Sequence, residues 1–343
     1  MTSFLKEGPA RPVAIWLFVV AAMVFAMVVL GGSTRLTNSG VSITQWELLS
    51  GALPPLNLDQ WQAEFEHYKQ IPQYKIMNQG MTLDGFKVIF WWEWSHRLLG
   101  RLVGVAFIVP FLFFLWKRMM PARLIWRCVV LFALGGLQGA VGWWMVKSGL
   151  VDRTEVAPER LTIHLGLALI LFCFLIWTGL EAWAGPKRPF ERQRWPAIAM
   201  GLAVLVFLQI LLGGLVAGNR AGLIYNDWPF FGGRLWPSDY VTGDLRQTLL
   251  HSLAAVQANH RVVAYALFLL TWIVAFRARA SHYLPRTLAS LAVILALLVT
   301  VQAALGVGTL MMQAPFGMAL AHQLTAAVVL AVALGFAWRA RRI

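Results

Sequence analysis

Eight apolar runs of roughly 20 residues punctuate the chain, at about 13–33, 88–116, 124–146, 161–183, 196–217, 251–276, 288–311 and 318–338. Each is long enough to cross a hydrocarbon core about 30 Å thick. The pattern therefore predicts an all-α integral membrane protein with eight transmembrane helices. Polar positions gather in two long connecting segments, about 34–87 and 218–250. Within the first, "LDQWQAEFEHYKQ" puts Trp61, Phe65 and Tyr68 on one helical face and Glu64, Glu66 and Lys69 on the other. That spacing predicts a short amphipathic helix on the outer interface, either a lid or a cover for the bundle. "SGALPP" and "NDWPFFGG" read as turns with interfacial tryptophans.

Composition agrees with this reading. Of 343 residues 59% are hydrophobic and only 13% charged, with a mean hydropathy of +0.65, a balance foreign to soluble domains. The net charge of +14 would suit a nucleic-acid partner, but its distribution assigns it to topology instead. Lys and Arg crowd the N-terminus, the loops 117–127, 184–195 and 277–287, and the final "RARRI", whereas the other loops mix both signs. The positive-inside rule then puts both termini in the cytoplasm and the long segments outside, in a bacterium the periplasm. No nucleic acid is expected as a partner; the lipid bilayer is. The first span starts too early for a transit peptide and lacks an A-x-A cleavage site, so it is expected to be retained. Cys128 and Cys173 fall within spans and read as packing residues.

The chain also repeats itself. "GGSTRLTNSGVSITQW" (31–46) aligns without gaps on "GGLVAGNRAGLIYNDW" (213–228), matching Gly31 with Gly213, Gly32 with Gly214, Gly40 with Gly222 and Trp46 with Trp228. Further on, His96-Arg97 matches His260-Arg261, Gln138 matches Gln302, Gly142 matches Gly306, and His164 matches His322. This predicts two pseudo-symmetric four-helix bundles, residues 1–183 and 196–343, joined by a cytoplasmic linker at 184–195. Both halves enter from the cytoplasm, so the repeat is parallel.

Of seven histidines, His96, His164, His260 and His322 occupy equivalent places in the even-numbered spans. Counted from the predicted helix starts, they lie about 6 to 14 Å below the outer boundary at 1.5 Å per residue. A histidine pair facing across a four-helix bundle is the usual protein device for holding a haem iron from both sides. Zinc fits less well, because each half offers only two such histidines and no cysteine or close second carboxylate on the same face to complete a tetrahedron. One haem site per half is the economical reading. Arg97, Arg261 and Arg101 are candidates to pair with haem propionates; snorkelling, or an ion pair from Glu93 to Arg97, is the alternative. Glu93 breaks the symmetry: it stands three residues before His96, where the second half has Gln257 before His260. It would either orient the imidazole or act as acid, base or cation stabiliser. His67 and His282 read as bystanders, and His251, heading the sixth span, is left unassigned.

These residues resemble those of the haem A synthases of the type found in proteobacteria and mitochondria. The resemblance rests on "GGSTRLTNSGVSITQW", "GALPPL" with "WQAEFEHYKQIPQYK", "EWSHRLLGRLVG", "LQGAVGWWMVKSGL", "RLTIHLGLAL", "LLGGLVAGNRAG", "NDWP", "ANHR" and "AHQLTA", and covers nearly the whole chain. It implies oxidation of the C8 methyl group of haem O to a formyl group, with water as oxygen source. It implies substrate haem O at His96 and His164, a haem b cofactor with its iron at His260 and His322, and Glu93 as the functional glutamate. A haem O synthase upstream, an unidentified electron acceptor and a homo-oligomer are the partners to expect. The cysteine pair that some bacterial members carry in the first outer loop is absent from this sequence. The rivals are a dihaem electron-transfer cytochrome b and, less well supported, a transporter.

Overall fold

The structure, a computed structural model, describes residues 9–46, 50–151, 153–185 and 194–343. Most of the expected linker, 186–193, lies outside the described residues. Eleven α-helices form among them: α1 (Arg11–Leu36), α2 (Leu58–Lys69), α3 (Pro72–Met77), α4 (Leu83–Trp116), α5 (Ala122–Val151), α6 (Pro158–Ala184), α7 (Trp195–Gly218), α8 (Leu245–His251), α9 (Leu253–Ala280), α10 (Arg286–Met311) and α11 (Phe316–Ala340). Eight of these, α1, α4–α7 and α9–α11, are long and apolar enough to cross a membrane. They coincide with the eight predicted spans, and each begins or ends a few residues beyond its apolar run.

The described residues divide into two compact units, Ile15–Phe172 and Cys173–Ile343, the second also taking residues up to Ala14 of the first helix. In the first unit, Trp16 of α1 packs against Phe107, Phe111 and Phe114 of α4, with ring centroids 5.1, 6.4 and 5.5 Å apart. Pro110 interrupts α4 without ending it. Proline has no N–H to give the carbonyl four residues back, Ala106. The Trp16 indole Nε1 donates to that oxygen at 2.8 Å. In lipid, where no water can substitute, an unanswered carbonyl costs several kcal/mol, so the α1–α4 contact also repairs the helix. On the opposite face of α4, Val105, Val109, Leu112 and Trp116 are exposed, as a lipid-facing stripe should be.

The amphipathic helix predicted in the first outer segment is present as α2. Asn57 caps it, accepting from the Gln60 N–H at 2.9 Å. Its apolar face buries Phe65 and Tyr68 against Phe86, Ile89 and Phe90 of α4. These contacts explain why α4 starts at Leu83, five residues before the apolar run: its first turns carry Asp84 and Lys87 but are covered by α2. The Tyr68 hydroxyl donates to Gln73 Oε1 (2.8 Å) and accepts from Asn78 Nδ2 (2.6 Å). Gln73 in turn donates to the Asn38 carbonyl at 3.0 Å, tying α3 to the loop after α1. Burial raises the pKa of the Tyr68 phenol, which reinforces its role as a donor.

The second unit is a closed ring in which α7 packs on α9, α9 on α10, α10 on α11 and α11 on α7. Buried alanines line these seams, including Ala254, Ala258, Ala292, Ala296, Ala333 and Ala337. Small side chains let helix backbones approach closely where lipid gives no hydrophobic drive to associate. His251 does not head the sixth span as the apolar run implied. It ends the short helix α8, and Ser252 breaks the chain there before capping α9 through the Ala255 N–H at 3.3 Å.

Candidate functional site

Each of the four histidines lies against a glycine of the neighbouring helix. A Cβ placed on Gly31 of α1 would stand 3.2 Å from His96 Nε2, and one on Gly142 of α5 2.9 Å from His164 Cε1. In the second unit the corresponding distances are 3.2 Å from Gly213 to His260 Cε1 and 2.8 Å from Gly306 to His322 Cε1. The missing side chains are what give the imidazoles room inside the bundles. Four residues before three of these glycines stands a glutamine whose amide meets the same histidine. Gln138 donates to the His164 carbonyl at 3.1 Å, and Gln209 and Gln302 to those of His260 and His322, each at 2.9 Å. The amide nitrogens also approach the rings, 3.3 Å from His164 Nε2 and 3.1 Å from Nδ1 of both His260 and His322.

Several polar atoms around these rings are buried without a protein partner: His164 Nδ1 and the carbonyl oxygens of Gln138, Gln209 and Gln302. Paired imidazoles facing across a bundle are a common way of holding a haem iron. The spacing agrees with that group. The ring centroids of His260 and His322 are 6.4 Å apart at an interplanar angle of 82°. Two metal–imidazole bonds of roughly 2 Å each, on opposite sides of one ion, place ring centres about 6 Å apart. Among the described residues no group of three or more His, Cys, Asp or Glu side chains is placed to hold a metal ion.

Glu93 is 3% exposed, and both of its oxygens are engaged. Oε1 accepts from Arg97 Nη2 at 2.6 Å and Nε at 3.1 Å; Oε2 accepts from Ser42 Oγ and the Ile43 N–H, each at 2.9 Å. Arg97 further donates to the carbonyls of Ile43 (2.8 Å) and Gln45 (3.0 Å). The i, i+4 ion pair expected as one alternative is therefore present, as a latch on the loop that follows α1. Arg101 lies one turn further along α4.

The second unit contains the same latch with a neutral partner. Arg261 donates to the carbonyls of Tyr225 (2.6 Å), Asp227 (3.2 Å) and Phe230 (2.8 Å), and to Gln257 Oε1 at 3.0 Å. Gln257 Nε2 donates to the carbonyls of Ala221 (2.8 Å) and Ile224 (2.6 Å). Polarity is reversed at this one position: Glu93 receives hydrogen bonds from its loop, whereas Gln257 gives them.

Sequence reasoning singled out the histidines and Glu93 but not the glutamine amides. Gln138 and Gln302 entered only as matching repeat positions, and Gln209 not at all. The recurring Gln-x-x-x-Gly spacing on the helices that face the histidines was the available signal. His67 is placed on the exposed side, within 3.3 Å of Gln45 Nε2. His251 borders a cleft of about 520 Å³ with Tyr225, Asp239 and Gln247.

The family model described as cytochrome oxidase assembly protein (COX15-CtaA) matches residues 14–334. The chain is 58% identical to the haem A synthase of Caulobacter sp. (strain K31) and 57% to that of Caulobacter vibrioides, in both cases across all of each chain. It is 47% identical to the haem A synthase of Maricaulis maris over 97% of each chain. Similarity at this level across the full set of spans shows that the chain belongs to the haem A synthase family.

Proposed function

We propose that this protein oxidises the C8 methyl group of haem O to a formyl group, completing haem A for a cytochrome oxidase. In this reading the substrate haem is held by His96 and His164, and a haem b cofactor by His260 and His322. The haem b supplies a one-electron redox centre. Converting a methyl to an aldehyde with water as oxygen source releases four electrons and four protons, in two hydroxylations followed by loss of water from a gem-diol. The electrons pass to an acceptor that is still to be identified. The upstream partner is a haem O synthase, the protohaem farnesyltransferase. The chain sits in the bacterial inner membrane as two parallel, pseudo-symmetric halves, with both termini cytoplasmic and the haem sites toward the periplasm.

The observation that carries the proposal is the pair of histidine sites that differ at one charged position, Glu93 against Gln257. All four contacts to the Glu93 carboxylate are donors, an arrangement that suits a fixed negative charge. Such a charge, three residues from His96, would stabilise positive charge developing at the substrate methyl. Arg97 and Arg261 already hold loop carbonyls, so near the outer surface they would meet propionates only through the N–H capacity left over; Arg101, one turn further along α4, is the third candidate.

The test is extraction of pigments from the purified protein after co-expression with a haem O synthase. Haem O or haem A alongside haem b supports the proposal. Haem b alone identifies a dihaem electron-transfer cytochrome, and no pigment at all overturns haem binding altogether.

A further inference from the structure

Three of the four histidines share a partner that the fourth lacks. Gln138, Gln209 and Gln302 each stand four residues before the glycine that faces a histidine, and each donates to that histidine's carbonyl. The matching position before Gly31, which faces His96, is Met27. Its side chain points toward α4: the Met27 methyl is 3.6 Å from where a Cβ on Gly100 would be, one turn beyond His96. A thioether has no N–H to give and is only a weak acceptor.

We propose that Met27 makes His96 the loosely held axial ligand of the first unit, so that this site, unlike the second, can admit and release its haem. The inference rests on the assignment of the substrate haem to His96 and His164, and it deepens that assignment. A ligating imidazole is held in orientation by the polar partners outside it, and losing one loosens the ligand. At His260 and His322 the glutamine amide is already 3.1 Å from Nδ1, and its carbonyl oxygen is buried without a partner. The same amide nitrogen donates to the backbone carbonyl of that histidine, so it holds the helix turn and the ring edge together. At His164 the Gln138 amide is 3.3 Å from Nε2 and donates to the backbone carbonyl at 3.1 Å.

The second unit thus has two clamped ligands, as a resident cofactor requires. The first has one clamped ligand, His164, and one unclamped, His96, as suits a haem that arrives as substrate and must leave as product. Met27 is a positioning residue: it acts through the imidazole and the helix face opposite it. Gln and Met have similar length and volume, so exchange between them changes the hydrogen-bonding capacity and little else.

The experiment uses the full-length protein, purified in detergent with both pigments bound and mixed with excess haem-free myoglobin as scavenger. Loss of each pigment is timed and its identity established by extraction. Partners of this kind change metal affinity by about 10- to 100-fold. Met27→Gln should therefore slow escape of the faster-leaving haem by about 10-fold or more and shift the low-spin spectrum of that pigment alone. Gln209→Met should accelerate escape of the slower one by a similar factor. Unchanged escape rates in a pigment-bearing Met27→Gln protein overturn the proposal. Should Met27→Gln fail to accumulate with haem, Gln209→Met decides alone, and an unaltered rate there overturns it equally. Pigment identity separates this inference from the reading beneath it. If both pigments are haem b, the substrate assignment falls while the rates still judge the clamp; if the faster pigment is haem O or A and Met27→Gln leaves its rate unchanged, the clamp falls and the assignment stands.

Discussion

Arg97 holds Glu93 with two nitrogens, Nη2 at 2.6 Å and Nε at 3.1 Å, while its remaining reach closes on the carbonyls of Ile43 and Gln45. The pair lies within one helix, yet its consequence is tertiary: it fastens the loop after α1 to the N-terminal half of α4. Removing the cation alone would leave a buried carboxylate uncompensated, a change that costs about 3–5 kcal/mol. Arg97→Ala is therefore expected to destabilise by that amount in denaturant titrations in mixed micelles. Arg97→Lys should recover only part of it, because a point charge cannot replace the fork that spans Glu93 and two carbonyls.

Glu93→Gln separates latch from chemistry. The amide keeps an oxygen for Arg97 but turns an NH2 toward the Ile43 N–H, which then faces a donor in place of an acceptor. The Ser42 hydroxyl can rotate to adapt; the backbone N–H cannot. A stability loss of about 1–3 kcal/mol is expected. If the carboxylate also serves the reaction, haem A yield per bound haem should fall by 100-fold or more while haem b content stays at one per chain. A yield that falls only in step with stability would confine Glu93 to the latch.

The glycines beneath the imidazoles give a graded series. Gly142→Ala and Gly306→Ala would place a methyl 2.9 and 2.8 Å from a histidine carbon, closer than such atoms can sit. Each substitution should displace one imidazole and reduce haem content to about half, lost from the first unit with Gly142→Ala and from the second with Gly306→Ala. Gly135→Ala and Gly139→Ala, where nothing lies within 4 Å of the added atom, should retain both pigments. Extracted haem per protein is the measurement.

Asp227 predicts an acid-sensitive loop between α7 and α8. Its carboxylate accepts the N–H groups of Gly233 at 2.7 Å and Gly232 at 2.9 Å. These bonds, the Gly233 one foremost, lower its pKa below the ordinary aspartate value of 3.8. A depressed value means that the group stabilises the loop above the unfolded pKa and that this contribution is lost as pH falls through the folded one. Hydrogen exchange in the 225–235 segment, corrected for intrinsic rates, should thus accelerate below about pH 4. Asp227→Asn should remove that pH dependence.

The limits of sequence reading are clearest at particular residues. The run 88–116 showed a span but not its true start at Leu83, because Asp84 and Lys87 look like loop residues until α2 is seen to cover that end of the helix. Trp16 and Pro110 were both visible, but nothing local says that the indole of one answers the carbonyl freed by the other. Likewise Ser42 and Gln45 are only part of a repeated string in the sequence, and their partners appear once the loop folds back on Glu93 and Arg97.

The sequence by itself determined the eight helices, since a segment in lipid must satisfy its own backbone and therefore declares itself by length and apolarity. It also showed that the two halves carry matching histidines, a matter of residue spacing alone, but not where His96 falls along its helix, because α4 begins at Leu83, before the apolar run. Only the tertiary structure decided which polar group meets which: Glu93 with the loop at Ile43, each glutamine amide with its histidine, and Met27 with Gly100. Those meetings depend on how helices remote in sequence pack against one another, and hydrophobic periodicity specifies the face a helix buries without specifying its neighbour.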